Sequence, residues 1–169
     1  LPILKHDDYV VFESVAVLYY LDLKYPEPPI FGRTAEEAGV IMRVICEFEA
    51  YAEDHLMKIV RALFEGGVNE TNIGELTRAM LAVASEARTI EGRLSKGDWI
   101  VGDAYSAVDM VVFPAIQVLL RALKKPGAGV LASRFLPVEV NYPALGRWLD
   151  RVAALPGYGK TRPPHWHTS

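Results

Sequence analysis

Residues 96–120 read KGDWIVGDAYSAVDMVVFPAIQVLL, and this stretch predicts the centre of the fold. Ser106 and Asp109 have the spacing of a capping box, in which two side chains satisfy each other's free backbone N–H groups at a helix start. Tyr105 and Met110 have the spacing of a hydrophobic staple across the same start. The sequence therefore predicts a helix that begins at residue 106 or 107.

The body of this predicted helix is apolar on every side. Residues 110–120 contain one glutamine and no charged side chain, so we expect a helix buried in the middle of a helical bundle. Pro114 removes one backbone hydrogen bond and should kink it. The segment KKPG at 124–127 ends it.

Outward from this helix, every long segment predicts another helix. Thr34 and Glu37 form a second capping box ahead of a long apolar stripe, and Asn72 precedes the next one. Pro156 and Gly157 end the last. Besides the central helix, the predicted helices span residues 34–64, 72–94, 130–135 and 141–155, the last starting at 141 or 143.

The beginning of the chain has a different pattern. The stretch LPILKHDDYVVFES at 1–14 predicts a β-hairpin, and residues 14–25 predict a helix after it. Two strands alone are marginal in water, so we expect this hairpin to be the end of a larger sheet with strands upstream of residue 1. Prolines at 26, 28 and 29 predict a stiff connector. We therefore divide the chain into residues 1–26, a linker at 27–33 and an all-helical domain at 34–169.

Composition excludes some classes of protein. The 169 residues are 51% hydrophobic and 23% charged, which is typical of a folded globular chain. A net charge of -3 gives no basic surface for nucleic acid. No apolar run reaches the roughly 18 residues of a membrane helix. The single cysteine, Cys46, cannot form an internal disulfide, so we expect a cytoplasmic protein with this thiol packed in the core.

Common catalytic and metal motifs are absent from the sequence. The four histidines are scattered, with no spacing that suits zinc, so no metal site is predicted. There is no glycine-rich phosphate loop and no nucleophile elbow.

Two short features have both a structural and a functional interpretation. The pair Leu1–Pro2 is either an ordinary edge proline or a cis-proline that turns backbone groups toward a ligand. Glu13–Ser14, between a strand and a helix, is either a plain helix cap or a helix N-terminus that receives a ligand carboxylate.

Together these features resemble the cytosolic glutathione transferase superfamily. LPIL…ESVAVLYYL is similar to its cis-proline strand, turn and following helix, with Val17 in place of isoleucine and Asp8 in place of a common turn glycine. The stretch GDAYSAVDM at 102–110 is similar to its capping box and staple. Tyr142–Pro143 and Trp148 are similar to its last helix.

The resemblance implies a fold class that is α+β and mostly α. A partial thioredoxin-like ββα domain would precede an all-helical glutathione transferase C-terminal domain. The upstream βαβ unit would hold the catalytic Tyr, Ser or Cys, so the catalytic residue is unknown in this chain. Leu1, through a cis bond to Pro2, would pair with the cysteinyl main chain of glutathione, while Glu13 would bind its ammonium and Ser14 its γ-glutamyl carboxylate.

The implied activity is attack of the glutathione thiolate on a small hydrophobic electrophile by a homodimer. Tyr51 and His55, one turn apart on the long helix, would either face the cleft for this electrophile or point to the core and to solvent, respectively. An alternative is a non-catalytic interaction module with the same fold, and Glu13–Ser14 favours the enzyme. A third possibility is that a partner chain completes the sheet, although exposed strand edges tend to aggregate.

Overall fold

The computed structural model describes residues 2–161 and 163. A hairpin and one helix are followed by a helical bundle, which confirms the predicted α+β, mostly α class. The elements are β1 Ile3–His6, β2 Tyr9–Phe12, α1 Ser14–Lys24, α2 Ala35–Phe48, α3 Asp54–Arg61, α4 Ile73–Leu94, α5 Ala107–Ala122, α6 Gly129–Ala132, α7 Val138–Asn141, α8 Pro143–Ala153 and α9 Tyr158–Thr161. None of the helices in this part of the chain is long and apolar enough to cross a membrane.

The hairpin forms as predicted, with β1 and β2 antiparallel and Ile3 opposite Phe12. Asp7 takes a left-handed φ of 54°, a conformation that aspartate tolerates better than most residues. Because side chains alternate across a sheet, Ile3 and Phe12 share one face, and they are 70% and 60% exposed. This face of the sheet is open to solvent in the structure.

Helices α2 and α3 are one continuous rod, joined by a π-helical turn at Glu49–Glu53 and extended by a second at Ala62–Gly66. Thr34 caps its start as predicted, since the Glu37 backbone N–H donates to Thr34 Oγ1 at 3.2 Å. The other half of the predicted capping box differs, because the Glu37 carboxylate accepts from the Arg33 backbone N–H at 2.6 Å and not from that of Thr34. Gly67, at a φ of 71°, ends it. The rod thus follows the predicted span closely.

Two side chains on this rod do not point where we expected. Cys46 is exposed, because the buried positions Ile41, Val44 and Phe48 centre the apolar stripe on the other side of the helix. Tyr51 is 63% exposed, because it lies in the π-helical turn, where the wider winding brings Ala52 and not Tyr51 back over the core. A packed Cys46 and a core-facing Tyr51 are therefore wrong.

Several side-chain hydrogen bonds meet at the start of α5, and its capping box is confirmed. The Ser106 backbone N–H donates to Asp109 Oδ2 at 2.9 Å. Oδ1 of the same carboxylate accepts from Trp148 Nε1 at 2.8 Å and from the Ile100 backbone N–H at 3.3 Å. Burial nevertheless raises the pKa of Asp109, because desolvation outweighs these bonds. One carboxylate thus joins the start of α5 to the middle of α8 and to the loop before α5.

The body of α5 differs from its prediction on one face. Val112, Phe113 and Ile116 are in the core, but Pro114 is exposed and Val111 only half-buried. The helix is therefore not buried on all sides. The apolar residues on its outer face line a cleft instead of filling the core.

The last part of the bundle is fixed by a contact between helices. Glu91 on α4 accepts hydrogen bonds from the backbone N–H groups of Ala144 and Leu145 at 2.9 and 2.8 Å. These groups belong to the first turn of α8, where a helix has no internal partners for its N–H groups and favours a negative charge. The short helices α7 and α9 were not predicted.

Candidate functional site

A cleft of about 600 Å³ opens where the start of α1 faces the bundle. Its walls come from α1, from the rod of α2 and α3, and from α5. The lining residues are Glu13, Ser14, Val15, Leu18, Glu49, Glu53, Met57, Met110, Val111, Pro114, Ala115 and Val118. The cleft is therefore shared between the hairpin–helix unit and the helical bundle.

Glu13 and Ser14 lie side by side at the mouth of α1. Glu13 has a left-handed φ of 70° and makes no side-chain capping bond to the helix. Its carbonyl accepts from the Val17 backbone N–H at 2.9 Å, so the helix begins properly without either side chain. Both residues are exposed and both line the cleft. A plain capping role therefore does not account for their side chains.

The other two predicted binding residues are placed differently. Leu1 lies outside the described residues, and so does the geometry of its bond to Pro2. Pro2 is exposed, next to Ile3, whose strand partner Phe12 precedes Glu13. Pro2 and Glu13 are thus at the same end of the hairpin, but Pro2 is not among the residues that line the cleft.

Two further carboxylates face Glu13 across the cleft. Glu49 and Glu53 begin and end the first π-helical turn, so both fall on the same wall. Partial burial raises the pKa of Glu49, and the negative charges of Glu53 and Glu13 raise it further. The polar part of the cleft therefore carries a negative potential.

The rest of the cleft is apolar. Met57 continues the wall of Glu49 and Glu53, while Met110 and Pro114 form the facing wall on α5. Met110 and Pro114 also line an adjoining cavity of about 330 Å³, bounded by Phe113, Val152 and Tyr158 among others. Such a surface can hold an apolar molecule beside the polar end of the cleft.

Sequence reasoning missed most of these wall residues. Acidic residues four apart on a helix usually mark a solvated face, which hides Glu49 and Glu53. The available signal was the all-apolar pattern of α5. A helix with more apolar surface than its contacts with the core can bury is expected to present the rest to a cleft or a partner. Tyr51 and His55, named as possible cleft residues, do not line it. In the described part of the chain no three His, Cys, Asp or Glu side chains form a metal-binding group.

Comparison with known proteins identifies the family of this chain. The family model for the glutathione S-transferase, C-terminal domain, matches residues 53–156. A probable glutathione transferase omega-2 of Caenorhabditis elegans is 28% identical over 170 residues, which cover 96% of this chain and 62% of that protein. The chain thus spans less than two thirds of that relative's length.

Solved structures share the fold. Glutathione transferase F2 from Populus trichocarpa has a TM-score of 0.76 at 17% identity, over 95% of this chain and 72% of that one. A glutathione transferase family member from Pseudomonas fluorescens, solved with two glutathione bound, has a TM-score of 0.73 at 20% identity, over 90% of this chain and 63% of that one. With a family model that matches more than half of its residues, this chain belongs to the glutathione S-transferase superfamily through its C-terminal domain.

Proposed function

We propose that this chain forms part of a glutathione transferase and holds the γ-glutamyl end of glutathione at Glu13 and Ser14. The observation that carries the proposal is the position of this pair, with side chains free of capping bonds, at the N-terminus of α1 inside a cleft. The Glu13 carboxylate would accept from the ligand ammonium. The Ser14 hydroxyl and the first N–H groups of α1 would donate to the ligand carboxylate, which the helix dipole also favours.

The apolar wall of the cleft would bind the second substrate, the electrophile. Met57, Met110 and Pro114 would hold a hydrophobic electrophile close to the bound thiol, which removes much of the entropic cost of bringing two molecules together. The reactive species is the thiolate, so a transferase lowers the pKa of the bound thiol by hydrogen bonding. We assign that catalytic role to no residue of this chain, and Leu1 with Pro2 remains the proposed contact to the cysteinyl backbone.

We also propose a cytoplasmic homodimer. The exposed thiol of Cys46 suits a reducing compartment. The outer faces of α2 and α4 expose apolar side chains, including Met42 and Leu81, which a second copy of the chain would cover.

Calorimetric titration of the full chain with glutathione tests the proposal. Glu13→Gln keeps the shape of the side chain but loses a charged hydrogen bond of about 1.5–3 kcal/mol, so the dissociation constant should rise roughly tenfold to a hundredfold. Ser14→Ala should raise it about twofold to tenfold. Glu70→Gln, at an exposed position away from the cleft, is the matched control.

The outcome also separates the two classes of function. Binding that Glu13→Gln weakens and Glu70→Gln does not, followed by consumption of thiol with an activated aryl halide faster than in a protein-free control, supports the transferase. No heat from the unmutated chain would overturn the glutathione site and favour the interaction module.

A further inference from the structure

The hairpin–helix unit is joined to the bundle by a short hydrogen-bonded path through the linker. The Ile30 backbone N–H donates to Asp22 Oδ1 on α1 at 2.6 Å. The Ile30 carbonyl accepts from the backbone N–H of Ala107, the first residue of α5, at 2.8 Å. A single linker residue thus connects the helix that carries Glu13 and Ser14 to the helix that forms the facing wall.

Local helix stability does not explain an aspartate at position 22. It lies in the last turn of α1, where the helix dipole disfavours a negative charge and aspartate has poor helix propensity. Its carboxylate instead accepts a hydrogen bond from a backbone N–H of the linker, outside the helix. The Ala107 N–H at the other end of the path is one of the N–H groups that α5 cannot satisfy internally.

Toward the hairpin, α1 has one polar contact, with Tyr20 Oη 2.8 Å from His6 Nδ1. Toward the bundle, its other described contacts are apolar. Val15 and Leu18 pack against the core, and Tyr19 meets Phe31 edge to face at 5.4 Å between ring centroids. Apolar burial is non-directional, so these contacts hold α1 close without fixing its rotation or its position along its axis. The two hydrogen bonds at Ile30 have the directionality that these contacts lack.

We propose that Asp22 is a positioning residue for the candidate glutathione site: by its bond to Ile30 it holds α1 in register with α5, and so holds Glu13 and Ser14 opposite Met110 and Pro114. The expected effect on glutathione binding rests on the proposed function, whereas the effect of Asp22 on the position of α1 does not. Loss of the bond should let the start of α1 shift relative to the α5 wall.

The test combines glutathione titration with hydrogen exchange on the full chain. Asp22→Ala should raise the dissociation constant for glutathione about threefold to tenfold, less than the loss of a charged hydrogen bond to the ligand itself, because Asp22 acts only through the position of α1. It should also speed exchange at Ile30 and at residues 14–18 while exchange in α4 stays unchanged. Asp22→Asn keeps an acceptor oxygen and should stay within twofold of the unmutated chain in binding.

Controls separate positioning from simple loss of charge or of folding. Asp8→Ala removes an exposed carboxylate from the same unit and should change neither measurement. Asp22→Ser, too short to reach Ile30, replaces Asp22→Ala if that variant does not fold. The proposal is overturned if Asp22→Ala speeds exchange at Ile30 but not at residues 14–18, or if this variant keeps its affinity for glutathione. It is also overturned if Asp22→Asn binds glutathione as poorly as Asp22→Ala.

Failure of the proposed function gives a different result. If the unmutated chain binds no glutathione, the ligand assignment is wrong. The exchange pattern at residues 14–18 then decides alone whether Asp22 positions α1.

Discussion

Residues 2–25 and the helical bundle differ sharply in how their apolar side chains are covered. No residue of the hairpin or of α1 is fully buried, whereas the core runs from Phe31 through α8. Yet the two polar residues proposed to bind glutathione belong to the first region. The stability of the chain thus comes from one region and its candidate ligand contacts come from the other, joined at the linker.

The largest expected effect comes from the same substitution made in both regions. Phe48→Ala, at a side chain 1% exposed, should lower the free energy of unfolding by about 3–5 kcal/mol because it leaves a cavity. Phe12→Ala, at a side chain 60% exposed, should change it by no more than about 0.5 kcal/mol. Urea denaturation measures both. A comparable loss at Phe12 would mean that something covers this face in solution.

A smaller effect is expected at the polar centre of the bundle. Asp109→Asn keeps one acceptor for Trp148 and Ile100 but turns an amide N–H₂ toward the Ser106 N–H, so the free energy of unfolding should fall by about 1–3 kcal/mol. Asp103→Asn, exposed a few residues earlier, should be neutral. Equal unfolding midpoints for the two variants would contradict the central role of Asp109.

The smallest effect concerns the cleft between the regions and depends on pH. The pKa of Glu49 in the folded chain is raised above its ordinary 4.5, so the ionised carboxylate lowers the free energy of unfolding when the pH is above this folded pKa. This loss of stability disappears as the pH falls through the folded pKa toward the ordinary value. Glu49→Gln should therefore raise the melting temperature at pH near 7 but not at pH near 3.5. Glu70→Gln should show no such change. A difference in melting temperature between Glu49→Gln and the unmutated chain that grows on acidification would contradict a raised pKa at Glu49.

Most helix boundaries could be predicted because they depend on local chemistry. The capping residues Thr34 and Ser106 begin their helices, and Pro143 opens α8 at a position where its missing N–H costs nothing. The short helix α7 could not be predicted, because a single turn has too few residues for a periodic pattern.

The candidate site could be predicted only on its α1 side. Glu13 and Ser14 follow from a polar pair between a strand and a helix. The wall formed by the rod of α2 and α3 depends on the π-helical turn that brings Glu49 and Glu53 to one side. The difference between a π-turn and an α-turn leaves no clear trace in a short apolar pattern. The assembly of the two walls depends on tertiary packing.

Under the proposed role of Glu13 in ligand binding, its left-handed backbone makes the best residue for stability at position 13 differ from the best residue for binding. Glycine adopts this conformation without the steric cost that a side chain incurs. A library selected only for survival at high temperature should therefore enrich glycine at position 13 and discard the carboxylate, whereas a library selected on ligand capture should retain an acid there.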